Sequence, residues 1–484
     1  MVRYAFLVLG GLLLADAVPA QTLRLEDCRI SGGPGMPSMK ARCGTLSRPL
    51  DPAGAVPGDI DLRIAVVPAL NLTPEPDPVV PIAGGPGQGS VQFYAAYSRA
   101  FEDVRRNRDI VLVDQRGTGE SSRMDCPIDD DLVEGQYSEE LTVEYTRACL
   151  EQLPHDPRFF TTSVAVTDLE AVRIALGYPS LNLYGVSYGT RVAQHFARRY
   201  PESTRTIVLD GVVPPQISLG PEIATEGQRA VDEILARCAD NTSCNERFPD
   251  LHVAFEKLVA LLKDDPVIIT VPDPNTGRSQ ELTFGHTEFA VAVRLLAYHP
   301  NSTALLPLLI KEAVDGNYVP LASQYMMTTL AMADALSLGM HNAVMCTEDI
   351  PFLDKTTIDY DRIAASYMGP LQLDALETIC SVWPRGPIDD EFKVPLSTDI
   401  PVLLLSGDAD PITPPRYASL AAVDLSNKLH LIGKDQGHGQ IGVGCTRRLV
   451  ASFIDTVDLA SVDAACLEHS FVMPFFLDFS GPSP

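Results

Sequence analysis

The feature that most constrains this chain is the run Gly185-Val186-Ser187-Tyr188-Gly189, set between the apolar stretch Leu181 to Tyr184 and a helical pattern beginning near Thr190. A serine on so sharp a strand-to-helix turn lifts its hydroxyl clear of a sheet, and side chains at the flanking glycines would collide with neighbouring elements. The helix behind it adds a positive dipole end, and the Tyr188 amide can face a developing oxyanion. The surroundings fit such a turn. After Ile60 to Pro68, which alternates enough to be a strand, short apolar runs at Val79 to Ala83, Ile110 to Val113, Leu181 to Tyr184 and Ile207 to Leu209 alternate with helical stretches such as Val164 to Leu176 and Thr190 to Arg199. That alternation predicts an α/β fold, a mostly parallel sheet covered by helices on both faces.

From about Pro215 to Thr398 the pattern changes to amphipathic helices with few strand signals, among them Glu226 to Cys238, Leu251 to Leu262, Glu288 to Ala297 and Leu321 to Leu338. Strand-helix alternation resumes at Ile400. The expected organisation is a core in two parts, 21–214 and 399–484, with a large, mainly helical cap over 215–398 inserted before the acid-bearing strand.

A serine is a weak nucleophile near neutral pH and needs a base and an orienting acid, which in this kind of sheet follow it along the chain. After the apolar run Pro401 to Leu405 come Gly407-Asp408-Ala409-Asp410, and after the next run Gly437-His438-Gly439. Asp410 is preferred to Asp408 because the acid usually stands three residues past the glycine; Asp408 suits a turn or cap. His438 is singled out from nine histidines by its place after the acid and between two glycines, which neither His195 nor His469 shares. Upstream, Gly84-Gly85-Pro86-Gly87-Gln88-Gly89 follows a strand and can supply a second oxyanion donor, Gly85; Pro86 and the order of glycines exclude a dinucleotide fingerprint. Asp114 and Arg116, in Asp114-Gln115-Arg116-Gly117-Thr118-Gly119, are read as a brace for the site.

Composition narrows the function classes. A formal net charge of -26, from 37 Lys+Arg against 63 Asp+Glu, would repel nucleic acid and anionic lipid headgroups. Arg3, the apolar run Tyr4 to Leu14 and the small-residue site Val18-Pro19-Ala20 predict an export signal over 1–20, removed rather than kept as an anchor. All ten cysteines lie beyond it as five neighbouring couples: Cys28 with Cys43, Cys126 with Cys149, Cys238 with Cys244, Cys346 with Cys380, and Cys445 with Cys466. These suit disulfides in an oxidising, periplasmic or extracellular compartment, although spacing does not determine connectivity. No C-x-x-C or tight His/Cys spacing points to a metal, and no cofactor is implied.

Taken together, Gly84-Gly85-Pro86-Gly87, Asp114-Gln115-Arg116-Gly117-Thr118-Gly119, the serine turn, Gly407-Asp408-Ala409-Asp410 and Gly437-His438 resemble the proline iminopeptidase and tripeptidyl aminopeptidase family of α/β-hydrolases. Cys380-Ser381-Val382-Trp383-Pro384, the long cap and the export signal are closest to the exported tripeptidyl aminopeptidase-like branch. The resemblance implies an α/β-hydrolase fold, Ser187, Asp410 and His438 as the catalytic triad, and the amides of Gly85 and Tyr188 as the oxyanion hole. It also implies a peptide substrate with a free N-terminus, and acidic cap residues to receive its ammonium group, for which Glu348 and Asp349 beside Cys346 are the candidates. One departure is Ala83, where the family often has histidine before the glycine loop. The alternative is a carboxylesterase or lipase-type serine hydrolase acting on small acyl esters.

Overall fold

The computed structural model describes residues 23–33, 35–126 and 138–482. Nine strands form one sheet: β1 (Glu26–Ser31), β2 (Ser38–Pro49), β3 (Asp59–Val67), β4 (Val79–Ile82), β5 (Ile110–Val113), β6 (Leu181–Val186), β7 (Thr204–Asp210) and, after a long insertion, the two strands at Val402–Gly407 and Lys428–Gly433. The first three strands and β5 pair antiparallel in sequence, and every pairing from β5 through β4 to the far edge is parallel. Residues of β4, β5 and β6 are buried throughout, as expected of parallel strands covered on both faces. Two apolar clusters lie on the two sides of the sheet.

Helices α1 (Ser90–Tyr97), α2 (Thr162–Leu176) and α3 (Tyr188–Arg199) cover the sheet. Between β7 and the strand Val402–Gly407 the chain builds a third, separate apolar cluster. The insertion carries α4 (Pro221–Asp240), α5 (His286–Leu296), α6 (Leu338–Val344) and α7 (Leu371–Val382); α6 packs on the sheet core through Met340, Ala343 and Val344, whereas α4, α5 and the start of α7 build this cluster. An antiparallel hairpin, Val267–Pro272 with Ser279–Phe284, also belongs to it. The hairpin was not anticipated, nor were β1 and β2, although in β2 exposed Lys40 and Arg42 alternate with buried Ala41 and Cys43. The last described residues leave the sheet and join the inserted body: Phe475 sits in its core and the Phe476 amide donates to the Ala304 carbonyl at 3.0 Å.

The connectivity that spacing left open is that of nearest neighbours, and all ten cysteines are paired. Cys28 of β1 is bonded to Cys43 of β2, across an edge hairpin of the sheet. Cys445 is bonded to Cys466, which ties the start of the helix Thr446–Thr456 to the turn Ala464–His469 beyond it. Cys238 is bonded to Cys244 within the inserted body. The other two disulfides, Cys126–Cys149 and Cys346–Cys380, cluster with Trp383 where the insertion meets the sheet domain. The apolar N-terminal run lies outside the described residues; among those described, no helix is long and apolar enough to cross a membrane.

Candidate active site

Ser187 stands between β6 and α3 with φ 55° and ψ -127°, a conformation that costs a non-glycine residue roughly 1–3 kcal/mol and must be held by its neighbours. The Ser187 amide donates to the Asp210 carbonyl at 2.9 Å, and the Thr190 amide and hydroxyl donate to the Ser187 carbonyl at 2.9 and 2.6 Å. Close approach explains the two glycines. A Cβ at Gly185 would lie 2.4 Å from the Gly189 carbonyl oxygen, and one at Gly189 would lie 2.1 Å from that of Ile82. The Tyr188 amide opens α3 and is one of the first-turn donors without an intrahelical acceptor. Across from it, a Cβ on Gly84 would lie 2.9 Å from Ser187 Cβ, so the Gly84–Gly87 loop faces the serine directly; Gly85 follows at φ 107°.

Asp410 and His438 meet at the far end of the sheet. His438 Nδ1 lies 2.7 Å from Asp410 Oδ2, which also accepts from the Thr413 hydroxyl at 2.7 Å; Oδ1 accepts from the amides of Ile412 and Thr413 at 2.8 and 2.9 Å. Burial alone would raise the Asp410 carboxyl, but His438 and Thr413 outweigh it and hold the group ionised, below its ordinary range. Burial likewise opposes a charge on His438, and the Asp410 carboxylate outweighs it, so the imidazole is raised. With Nδ1–H given to an ionised carboxylate, Nε2 is left as the basic nitrogen. Asp408 does not reach the histidine. Its carbonyl and that of Asp410 instead accept from the Arg229 guanidinium of α4, at 3.2 and 2.7 Å.

The serine and histidine are joined through the end of β7. Ser187 is bonded to the Asp210 backbone, and the His438 ring packs against Gly211, where a Cβ would lie 3.0 Å from Cε1. The Asp210 carboxylate accepts from the amides of Gln440 and Ile441 at 2.7 to 2.9 Å and from the Tyr184 hydroxyl at 2.6 Å, fixing the loop just past His438. Burial pushes Asp210 up to about 6. From the insertion, the Tyr298 carbonyl accepts from the His438 amide at 2.7 Å and its ring meets the imidazole edge-on at 5.4 Å. A Cβ at Gly437 would lie 2.3 Å from that same carbonyl oxygen, while Gly439, at φ 85°, turns the chain away. Ser187 is partly exposed and its Oγ carries no hydrogen bond among the described residues; nucleophile–base contacts often tighten only once substrate is bound.

Glu348 and Asp349 are not offered to an incoming ammonium. Both are fully buried in a π-helical turn, Met345–Asp349. Asp349 receives two 2.9 Å hydrogen bonds from Arg191 of α3, one from the Leu219 amide at 2.8 Å, and stands 3.4 Å from Lys393 Nζ. Glu348 accepts from the Thr162 amide at 2.6 Å and hydroxyl at 2.9 Å, and burial pushes its carboxyl up to about 7. Acidity and proximity to a cysteine selected them in the sequence, but those signals do not distinguish an exposed acceptor from a buried anchor. The brace expected of Asp114 and Arg116 also divides into two. Asp114 accepts from the amides of Val91 and Glu120, whereas Arg116 pairs with Asp168 of α2 at 2.7 Å. Thr413, Asp210, Tyr298 and Arg191 were missed; of these only Asp210, a carboxylate at the end of a strand next to a glycine, had a local signal.

Two family models match the chain, one described as an alpha/beta hydrolase fold over residues 77–232 and one as a TAP-like protein over residues 365–466. The chain is 28% identical over 474 residues to the serine protease Hip1 of Mycobacterium tuberculosis, covering 87% of this chain and 86% of that protein. It is 28% identical over 249 residues to the tripeptidyl aminopeptidase of Streptomyces lividans, covering 45% of each. A proline iminopeptidase of Xylella fastidiosa is 31% identical over 140 residues, covering 29% of this chain and 33% of that protein.

Proposed function

This chain belongs to the α/β-hydrolases, as a peptidase of the serine type, and from that premise we propose that it is an exported aminopeptidase that forms its acyl-enzyme on Ser187. The observation that carries the roles is the buried 2.7 Å contact of His438 with Asp410, set beside a serine held at positive φ. His438 Nε2 takes the Ser187 proton as Oγ attacks the peptide carbonyl, and the amides of Tyr188 and Gly85 stabilise the oxyanion. His438 then returns the proton to the leaving amine, and water, activated by the same base, releases the acyl group. Aminopeptidase action is supported by the names of the Streptomyces and Xylella relatives, and export by five disulfides together with the apolar N-terminal run. On this reading the substrate ammonium is received by groups other than Glu348 and Asp349.

The test is turnover of mono-, di- and tripeptide amides with free and N-acetylated termini, beside short acyl esters. Cleavage of the free peptides only is expected. Equal turnover after acetylation, or hydrolysis confined to esters, sinks the aminopeptidase reading in favour of a general serine hydrolase.

A further inference from the structure

The loop that carries Asp410 is held from two directions. On one side, the amides of Asp408 and Ala409 donate to the carbonyls of Gly433 and Gln436 at 3.1 Å each, which ties the loop to the stretch leading to His438. The other side depends on the insertion. Among the described residues, the carbonyls of Asp408 and Asp410 accept from Arg229 of α4, at 3.2 and 2.7 Å, and from no other group.

Arg229 is itself fixed in place. Its Nε donates to Glu226 Oε2 at 2.7 Å and its Nη1 to Glu233 at 2.8 Å, so all three guanidinium nitrogens have acceptors around one planar fork. Glu226, 5% exposed, receives a second arginine on its other oxygen, where Arg416 donates to Oε1 at 2.8 Å. Arg416 belongs to the helix Pro415–Ala421, just past the acid loop. Glu222, one turn earlier in α4, repeats the link, accepting from Arg416 at 3.0 Å and from the Tyr417 hydroxyl. One buried carboxylate of the insertion therefore connects the main chain of the acid loop with the helix that leaves it. Arg229 meets the backbone of Asp410 and leaves the carboxylate to His438 and Thr413. A guanidinium on the carboxylate would compete with the histidine for it, whereas one on the carbonyl sets where the carboxylate stands.

We propose that Arg229 is a positioning residue for the catalytic acid, and that Glu226 is the anchor through which the inserted body holds Asp410 in reach of His438. The assignment rests on the triad roles above and says how the insertion takes part in the reaction. Misplacing a reacting group by about 1 Å can cost about 10²-fold in rate, so a clamp outside the site has leverage on the chemistry.

The experiment compares the wild type, Arg229→Gln, Arg229→Lys, Glu226→Gln, Asp410→Asn and the double variant Arg229→Gln/Asp410→Asn. Each is assayed with a tripeptide p-nitroanilide and with p-nitrophenyl acetate, so that the outcome does not depend on which class of acyl group the enzyme prefers. Arg229→Gln should lower kcat by about 10- to 100-fold and change KM by less than about threefold. Arg229→Lys, which keeps the charge without the fork, should recover part of the rate. The acid limb of kcat/KM in Arg229→Gln should move to lower pH, because a displaced carboxylate supports the imidazolium less; loss of a cation by itself would move it upward. The other charges acting on His438, Asp210 of β7, Arg294 of α5 and His299 just past it, are the same in every variant. Because Arg229 acts through the acid, the double variant should be no slower than Asp410→Asn alone. An unchanged kcat in Arg229→Gln, an acid limb that does not move, or losses that multiply in full in the double variant overturn the proposal. Should Arg229→Gln fail to fold, Glu226→Gln, which keeps the shape of the side chain, carries the same test: a lower kcat and a limb moved to lower pH support the clamp, and wild-type behaviour overturns it. Full activity of Asp410→Asn strikes the triad and the clamp together, whereas an impaired Asp410→Asn with independent losses strikes the clamp alone.

Discussion

At the scale of single residues, the site depends on which nitrogen of His438 is free. Asp410 accepts from Nδ1–H and leaves Nε2 as the basic nitrogen, so on the proposed mechanism Asp410→Asn, which can favour the other tautomer, should lower kcat by about 10⁴. Ser187→Ala should lower it by about 10⁶, as in other serine triads. The pH profile carries a further signature. A base must be neutral, and although burial opposes its charge, the Asp410 carboxylate raises His438 above the ordinary imidazole value of about 6.5. The acid limb of kcat/KM should therefore have its midpoint above that value. In Asp410→Asn the raising partner is gone while burial remains, so the residual activity should show a midpoint shifted to lower pH; an unshifted limb would mean that another group titrates.

Among elements, the decisive contact is between α3 and the π-helical turn Met345–Asp349. Arg191 lies one turn past Ser187, and Asp349 holds it from the insertion with both partners almost wholly buried. Removing one partner of such a pair leaves an unpaired buried charge, so Asp349→Ala should cost about 3–5 kcal/mol in chemical denaturation. A residue that merely bound substrate would instead raise KM with stability unchanged, which makes the variant a check on the corrected assignment. Glu348, in the same turn, adds a pH dependence. Burial raises its folded pKa to about 7, so the stability linked to its protonated form is present below the unfolded carboxyl value and is lost as pH rises through about 7. The melting temperature should fall over that interval in the wild type and fall less in Glu348→Gln.

For the whole molecule, the inserted body has its own core yet is bonded to both catalytic loops, through Tyr298 to His438 and through the Gln88–Leu336 bridge to the glycine loop. Disulfides secure the junction. Loop-closure entropy grows with the span of the bond, which gives about 4 kcal/mol for Cys346–Cys380, 34 residues apart, and about 2 kcal/mol for Cys238–Cys244, 6 apart. Replacing the first pair by alanine should therefore destabilise the protein more than replacing the second. It should also reduce activity, because Cys346 shares its turn with Glu348 and Asp349, which anchor α2 and the nucleophile helix α3.

The sequence alone determined those parts that local sterics and chain order dictate. Two glycines around Ser187 have no room for a Cβ, parallel strands buried on both faces read as short apolar runs, and Asp410 and His438, which meet in the structure, follow Ser187 along the chain. Tertiary structure alone decided which carboxylates are free. Glu348 and Asp349 look like any exposed acidic pair until α2 and α3 supply Thr162 and Arg191. A charged side chain gains its meaning from partners that are distant in the chain, whereas a glycine forced by a clash within one turn carries its reason in its neighbours.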